Sequence, residues 1–315
     1  MTEEAVLLGA MGSLVGIVTD PDPAVRAKVG PLPAFVFLNA GVTHRVGPSR
    51  LHVRLARRLA AAGFTSLRFD WSGTGDSGVR TDDLPIGESI ILETREAMDH
   101  LASTRGIDKF VLIGICSGAT ISFLTAKEDD RVVGAVLINA QSHLHGMDAD
   151  LGERLRSRTM TRHSWRIALG SSFRSKNWRK ALGGQLDFKR IVGMMIGVPL
   201  RAIFGKGGGA ETSAEPGARG ASTAAESGGA FDSAAELRSV TQRGVRVFHL
   251  YSEGDEGLDY FNVVLGKRVK DVTVAETSQL SVMKGANHVF TLLWSQDQLV
   301  EDVCDWAQVF GTANP

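Results

Sequence analysis

The chain has 315 residues, 43% of them apolar, and its 35 Lys and Arg balance 35 Asp and Glu, for a formal net charge of zero. That length allows one large domain or two small ones with a sizeable core, and the neutral balance argues against nucleic acid as a partner and supplies no field to recruit an acidic one. With two cysteines only, Cys116 and Cys304, a disulfide framework and a zinc site are both disfavoured, and a reducing cytoplasm is the default compartment.

The N-terminal MTEEAVLLGAMGSL is acidic at its front and too short in its apolar run for a secretory leader. No stretch approaches the ~18 apolar residues of a membrane span. Residues 5–20 alternate weakly around Gly9, Gly12 and Gly16 and read as two short strands at a sheet edge. Ala34–Leu38, bounded by Pro33 and Asn39, is short, apolar and aromatic, which is the pattern of a buried strand. Asn39-Ala40-Gly41 breaks it. Pro48 and Ser49 then open a helix with Leu51, Leu55, Leu59 and Ala62 on one face, closed by Gly63. A strand follows over Thr65–Phe69, then a helix over 86–104 with Ile86, Ile90, Ala97 and Leu101 inward. Lys109–Gly114 is the next strand, a helix runs to Lys127, and Val132–Asn139 is another buried strand. This repeated strand–helix alternation predicts an α/β fold: a parallel sheet flanked by helices on both faces.

From Gln141 to Gly244 the rhythm fails. Residues 151–169 and 173–197 look helical, and 205–235 are rich in Gly, Ala, Ser and Glu, with too little apolar surface to offset the entropy of ordering. The expected organisation is a core of 1–140 and 240–315, with 141–239 as a helical lid that includes a disordered loop at 205–235. The sheet pattern resumes with a strand over Val245–Tyr251, a helix over 257–268 and a short strand over Leu280–Met283. The last helix is expected from Ser295, with Ser295 and Gln298 as a capping box and Leu299, Val303, Trp306 and Phe310 on its inner face.

The chemistry centres on VLIGICSGAT, Val111 to Thr120. An apolar β-branched run stops at Gly114, Cys116 follows, and Gly118 leads into a helix. Gly-x-Cys-x-Gly has the spacing of the strand–turn–helix elbow that presents a nucleophile, with sulfur where a serine hydroxyl is usual. A thiol needs a base, and the base needs an orienter. Asp255 follows the strand that ends at Tyr251, and His288 follows the strand that ends at Met283. All three residues then lie at the carboxyl edge of one sheet, where open α/β folds place their ligands. Glu253, Glu256 and Asp259 compete with Asp255, which is preferred by its offset from the strand. The competing readings of Cys116 are a buried structural thiol and the remnant of a non-catalytic fold relative.

These motifs resemble the α/β-hydrolase fold, in the branch of serine aminopeptidases and lysophospholipases, with Cys replacing Ser. Asn39-Ala40-Gly41 resembles the oxyanion loop, though without its usual His-Gly. Leu67–Ser77 (LRFDWSGTGDS) resembles the Arg-x-Asp-x-x-Gly-x-Gly-x-Ser signature, Gly114–Gly118 the elbow, Asp255 the acid and Asn287-His288 the base. The likeness covers 30–140 and 240–312. It extends to small hydrolases found beside exopolysaccharide and secondary-metabolite gene clusters. It implies a Cys116–His288–Asp255 triad, with oxyanion donors from the backbone N–H of Ser117 and of Gly41 or Val42. It also implies an ester or thioester substrate, free or carried on a carrier protein or CoA, and no cofactor or metal. The outcomes it leaves open are hydrolysis, acyl transfer or cyclisation in a biosynthetic pathway, and ligand binding without catalysis.

Weaker candidates surround these. His44 follows the oxyanion loop and is a candidate substrate contact or else a cap for the next helix; His143, at the entrance to the lid, is a candidate substrate contact, with a solvated histidine as the plain alternative. Trp165 and Met194 are candidate acyl-chain contacts if the lid covers the site, or else lid core. Gly73–Gly78 matches a dinucleotide fingerprint, but Thr81-Asp82-Asp83 and Pro85 follow it where a helix would have to open. Those glycines read instead as a turn near the active site.

Overall fold

The computed structural model describes residues 1–9, 12–82, 84–140, 233–265 and 277–311. They fall within a unit formed by Met1–Met147 and Phe231–Pro315. Among them no helix is long and apolar enough to cross a membrane.

One sheet organises this unit. Its strands are β1 (Thr2–Leu8), β2 (Leu14–Asp20), β3 (Ala34–Leu38), β4 (Ser66–Phe69), β5 (Phe110–Ile115), β6 (Val132–Ile138), β7 (Arg246–Ser252) and β8 (Ser278–Met283). Their order across the sheet is β1-β2-β4-β3-β5-β6-β7-β8. β1 and β2 form an antiparallel hairpin, β2 joins β4 antiparallel, and every pair from β4 to β8 is parallel. Sequence order reverses around β3, so the chain ends after β3 and β5 open beside one another at the carboxyl edge, where crevices form in doubly wound sheets.

Side-chain alternation sorts the core into two layers. Val36 and Leu38 of β3 and Leu112 of β5 face one side, and Phe35, Phe37, Val111 and Ile113 face the other. On the first side pack α3 (Ile86–Arg105), α4 (Ser117–Glu128), α5 (Ser233–Gln242) and α6 (Glu256–Leu265), through Met98, Phe123, Leu237 and Phe261 among others. On the second pack α2 (Leu51–Ala61) and α7 (Leu293–Ala307), through Leu55, Leu59, Leu299 and Val303. β5 is buried at every position because both its faces are covered.

Two local expectations change, and one helix is added. α2 begins at Leu51, because Ser49 (φ 48) and Arg50 (φ 64) are left-handed and Pro48–Arg50 form a separate 3-10 turn. Ser295 and Gln298 form no capping box: α7 has already begun at Leu293. Ser295 Oγ donates back to the Leu292 carbonyl (2.7 Å), and Gln298 Nε2 donates to Asp302 Oδ1 (2.8 Å). A short helix, α1 (Pro23–Val29), opens where Asp22 accepts the Ala24 N–H at 2.9 Å with Pro23 in the first turn.

Residues 141–232, 266–276 and 312–315 lie outside the described residues. With them lie His143, Trp165, Met194, nearly all of the expected lid and most of the 205–235 loop. Residues 233–239, which the sequence pattern groups with that insertion, belong to α5, whose Ala234, Leu237 and Val240 are buried in the core.

Candidate active site

Between the last residue of β5 and the first of α4 stands Cys116, at φ 57 and ψ −117. Such a backbone costs about 1–3 kcal/mol and persists only where its surroundings impose it. Here they do. The Cys116 N–H donates to the Ile138 carbonyl (2.9 Å), and the Cys116 carbonyl accepts from Ala119 N–H (3.1 Å). A Cβ on Gly118 would stand 2.5 Å from the carbonyl oxygens of both Leu38 and Asn39, and one on Gly114 would fall onto the Gly118 backbone. The start of α4 is therefore pressed against the ends of β3 and β5. Cys116, half-buried and packed against the second core layer, stands at the sheet's carboxyl edge.

The other two residues come from the loops after β7 and β8. Asp255 is 7% exposed. Its Oδ1 accepts the Gly257 N–H at 2.8 Å, and its Oδ2 lies 2.6 Å from His288 Nδ1. Glu253 and Asp259 are exposed, and Glu253 accepts from the Gly285 N–H instead (3.4 Å). The bond to Asp255, with a second side-chain hydrogen bond to Cys116, pushes the His288 pKa up to about 10 despite partial burial. The imidazole thus lies between a carboxylate that holds one ring nitrogen and a thiol within reach of the other.

The family model for the α/β hydrolase fold matches residues 33–171. The chain has the α/β-hydrolase fold. Its fold is similar to that of an esterase from Pyrococcus furiosus, Pf2001, at TM-score 0.55 and 14% identity over 98% of this chain and 91% of that one. It is also similar to a proline iminopeptidase from Mycobacterium smegmatis (TM-score 0.52, 15% identity, 99% of each chain). DcsB, in complex with its substrate analogue, aligns at TM-score 0.55 and 14% identity, over 99% of this chain and 100% of that one. No curated protein sequence matches the chain.

Around this α/β-hydrolase elbow, the loop after β3 is pinned at three points. Asn39 Nδ2 donates to the Phe69 carbonyl (3.2 Å), Gly41 N–H donates to Ser117 Oγ (2.8 Å), and Arg45 N–H donates to Asp70 Oδ1 (2.5 Å). The Arg45 guanidinium also pairs with Asp70, and with Asp76 at 2.6 Å. Asp70 and Ser77 of the LRFDWSGTGDS segment thereby serve as staples: buried Asp70 also accepts the Asp76 N–H (3.2 Å), and Ser77 Oγ donates to the Asp70 carbonyl (2.7 Å). Of the expected oxyanion donors, Gly41 N–H is already engaged by Ser117. Ser117 N–H lies in the first turn of α4, where backbone donors have no intrahelical acceptor. Val42 is 93% exposed at the tip of the loop. His44 is exposed on the following turn, its carbonyl accepting Gly47 N–H (2.9 Å).

Sequence reasoning passed over one residue that matters here. Asn139, read only as the end of a strand, is fully buried at φ 45. Its Oδ1 accepts the Ser252 N–H (2.8 Å), and its Nδ2 donates to the His288 carbonyl (2.6 Å) and to Ser252 Oγ (3.1 Å). It ties the end of β6 to the acid-bearing and histidine-bearing loops. The available signal was an Asn closing a buried apolar run, since Asn tolerates left-handed backbone and bonds locally.

Proposed function

We propose that this chain is an acyl hydrolase of ester or thioester substrates that works through an S-acyl intermediate on Cys116, with His288 as base and acid and Asp255 as its orienter. One observation carries the reading: His288 is hydrogen-bonded both to a buried carboxylate and to a thiol that stands on a strained, glycine-flanked elbow. The esterase among the similar folds supports ester chemistry as the starting class.

The mechanism follows from that geometry. Asp255 accepts a hydrogen bond from His288 Nδ1–H and so presents the other ring nitrogen to sulfur. Proton transfer from Cys116 to His288 yields a thiolate beside an imidazolium, the state that the raised His288 pKa favours. The thiolate attacks the acyl carbon, and Ser117 N–H at the start of α4 supports the oxyanion. Collapse breaks the bond to the alcohol or thiol leaving group, which takes the proton from His288. Water, deprotonated by His288, then attacks the thioester and releases the acid and Cys116. An amine or alcohol acceptor in place of water would make the same intermediate a transferase. The acyl group enters free or as a thioester on CoA or a carrier protein.

The test is intact mass after incubation with p-nitrophenyl esters and acyl thioesters, with and without amine and alcohol acceptors. Expected are nitrophenolate release and a transient adduct that maps to Cys116 and is absent from Cys116→Ala. Turnover that survives in Cys116→Ala would overturn the assignment. An adduct discharged only by acceptor would move the protein to the transferases. Ligand retention without any adduct would mark a binding protein.

A further inference from the structure

The Ser117 hydroxyl, next to Cys116, accepts one of the backbone amides expected to receive an oxyanion. Ser117 immediately follows Cys116 and occupies the first position of α4, so its own N–H points out of the helix start without an intrahelical acceptor. The Gly41 N–H of the loop after β3 reaches the same residue, where Ser117 Oγ accepts it at 2.8 Å. The loop cannot easily withdraw that amide, because Asn39 is held to Phe69 and Arg45 to Asp70 on either side of Gly41. Nor can the start of α4 shift, because Gly118 already lies against the carbonyls of Leu38 and Asn39.

We propose that the Ser117 hydroxyl is the resting occupant of the oxyanion hole, displaced when a substrate oxygen becomes charged. The inference rests on the acyl-enzyme reading above and adds a selectivity device to it. A serine oxygen offers the same lone-pair acceptor as a substrate carbonyl, and both are neutral, so the ground-state carbonyl has little advantage over it. The tetrahedral oxygen carries charge, and hydrogen bonds to a charged acceptor are roughly twice as strong. Rotation of Ser117 about its Cα–Cβ bond then hands the Gly41 N–H to the oxyanion. The interaction gained is confined to the transition state, where it accelerates the reaction without tightening substrate binding. The occupant still exacts the loss of one ordinary hydrogen bond, about fivefold in rate.

Two reactions of one thiol separate this from a structural role. Acylation by p-nitrophenyl acetate develops an oxyanion, whereas alkylation by iodoacetamide displaces iodide at a saturated carbon and develops none. Alkylation is specific for the site because burial pushes the Cys304 thiol up to about 11 and leaves it 6% exposed. The ratio of the two rate constants, followed by nitrophenolate release and intact mass, should rise about fivefold in Ser117→Ala. In Ser117→Thr, which keeps the hydroxyl and stiffens the side chain, it should stay at or below the wild-type value. A Ser117→Ala ratio equal to or below wild type overturns the proposal and makes the hydroxyl a support or donor. Should Ser117→Ala prove misfolded, shown by alkylation of Cys304, a Thr ratio above wild type overturns it equally. If the wild type forms no S-acetyl adduct while iodoacetamide still labels Cys116, the acyl-enzyme reading itself fails, and this inference with it.

Discussion

Replacing Asp255 with Asn keeps the shape of the acid and removes its charge. Asp255 Oδ2 lies 2.6 Å from His288 Nδ1, and this bond is the first cause of a His288 pKa near 10 against an ordinary value of 6.5. An Asn amide can offer an N–H to Nδ1, which leaves the proton on the ring nitrogen that should accept from Cys116. Losing one to two of those pKa units removes ten- to a hundredfold of the thiolate–imidazolium pair at pH 7, at roughly tenfold per unit. The wrong tautomer adds to that loss, so acylation of Cys116 by p-nitrophenyl acetate should fall by about 10²-fold or more. The sign with pH is fixed by the direction of the shift. A raised His288 pKa means that the folded state favours imidazolium: this contribution is full below the unfolded value of 6.5 and is lost as pH rises through about 10. The alkaline limb of the wild-type acylation profile should therefore lie near pH 10, and in Asp255→Asn it should move toward neutrality. Stopped-flow nitrophenolate release from pH 5 to 11 reads both effects, with Glu253→Gln, an exposed neighbour, as the control. An Asp255→Asn variant with an unmoved alkaline limb and wild-type acylation would refute the orienting role.

Asn139→Ala strands the buried Ser252 N–H and frees the part-buried His288 carbonyl, which should cost about 1–3 kcal/mol in urea unfolding and slow acylation beyond that stability loss. Gly118→Ala puts a methyl 2.5 Å from two carbonyl oxygens of the β3 end and should cost about 1–3 kcal/mol, seen as a lower thermal midpoint. Arg45→Met leaves the Asp70 carboxylate buried with only backbone N–H partners; a loss of about 3–5 kcal/mol is expected in the same unfolding assay.

Most of the fold was legible because the parallel strands are covered on both faces and so appear as short, uninterrupted apolar runs such as AFVFL and VLIGI. The order of Cys116, Asp255 and His288 was legible for a related reason: each follows a strand of the parallel part of the sheet, and parallel strands deliver their following loops to one edge. What escaped was local. α1 is a single capped stretch with no buried face, so it leaves no apolar period to detect. The start of α7 was misplaced because Ser295 bonds backward to Leu292 inside the helix, which is the other use of a serine near a helix end. The oxyanion loop was legible as a turn, but nothing in Asn39-Ala40-Gly41 announces that the Gly41 amide is held by a side chain 76 positions along the chain.

Those long-range bonds bear on why the elbow can carry sulfur. The strained residue is held by Gly118 against β3, by its own N–H on β6 and by the first turn of α4, none of which involves its side chain. The scaffold that positions residue 116 is thus indifferent to whether its side chain carries oxygen or sulfur. In the proposed mechanism His288 is not, because a thiol gives up its proton before attack, whereas an alcohol gives it up only as the bond to carbon forms. A Cys116→Ser variant should keep the elbow and unfold at the wild-type urea midpoint. Its acylation should then demand a neutral His288, so its activity should rise with pH through the range in which the cysteine enzyme's falls. Matching pH profiles for the two would mean that the imidazolium pair plays no part in the cysteine enzyme's attack.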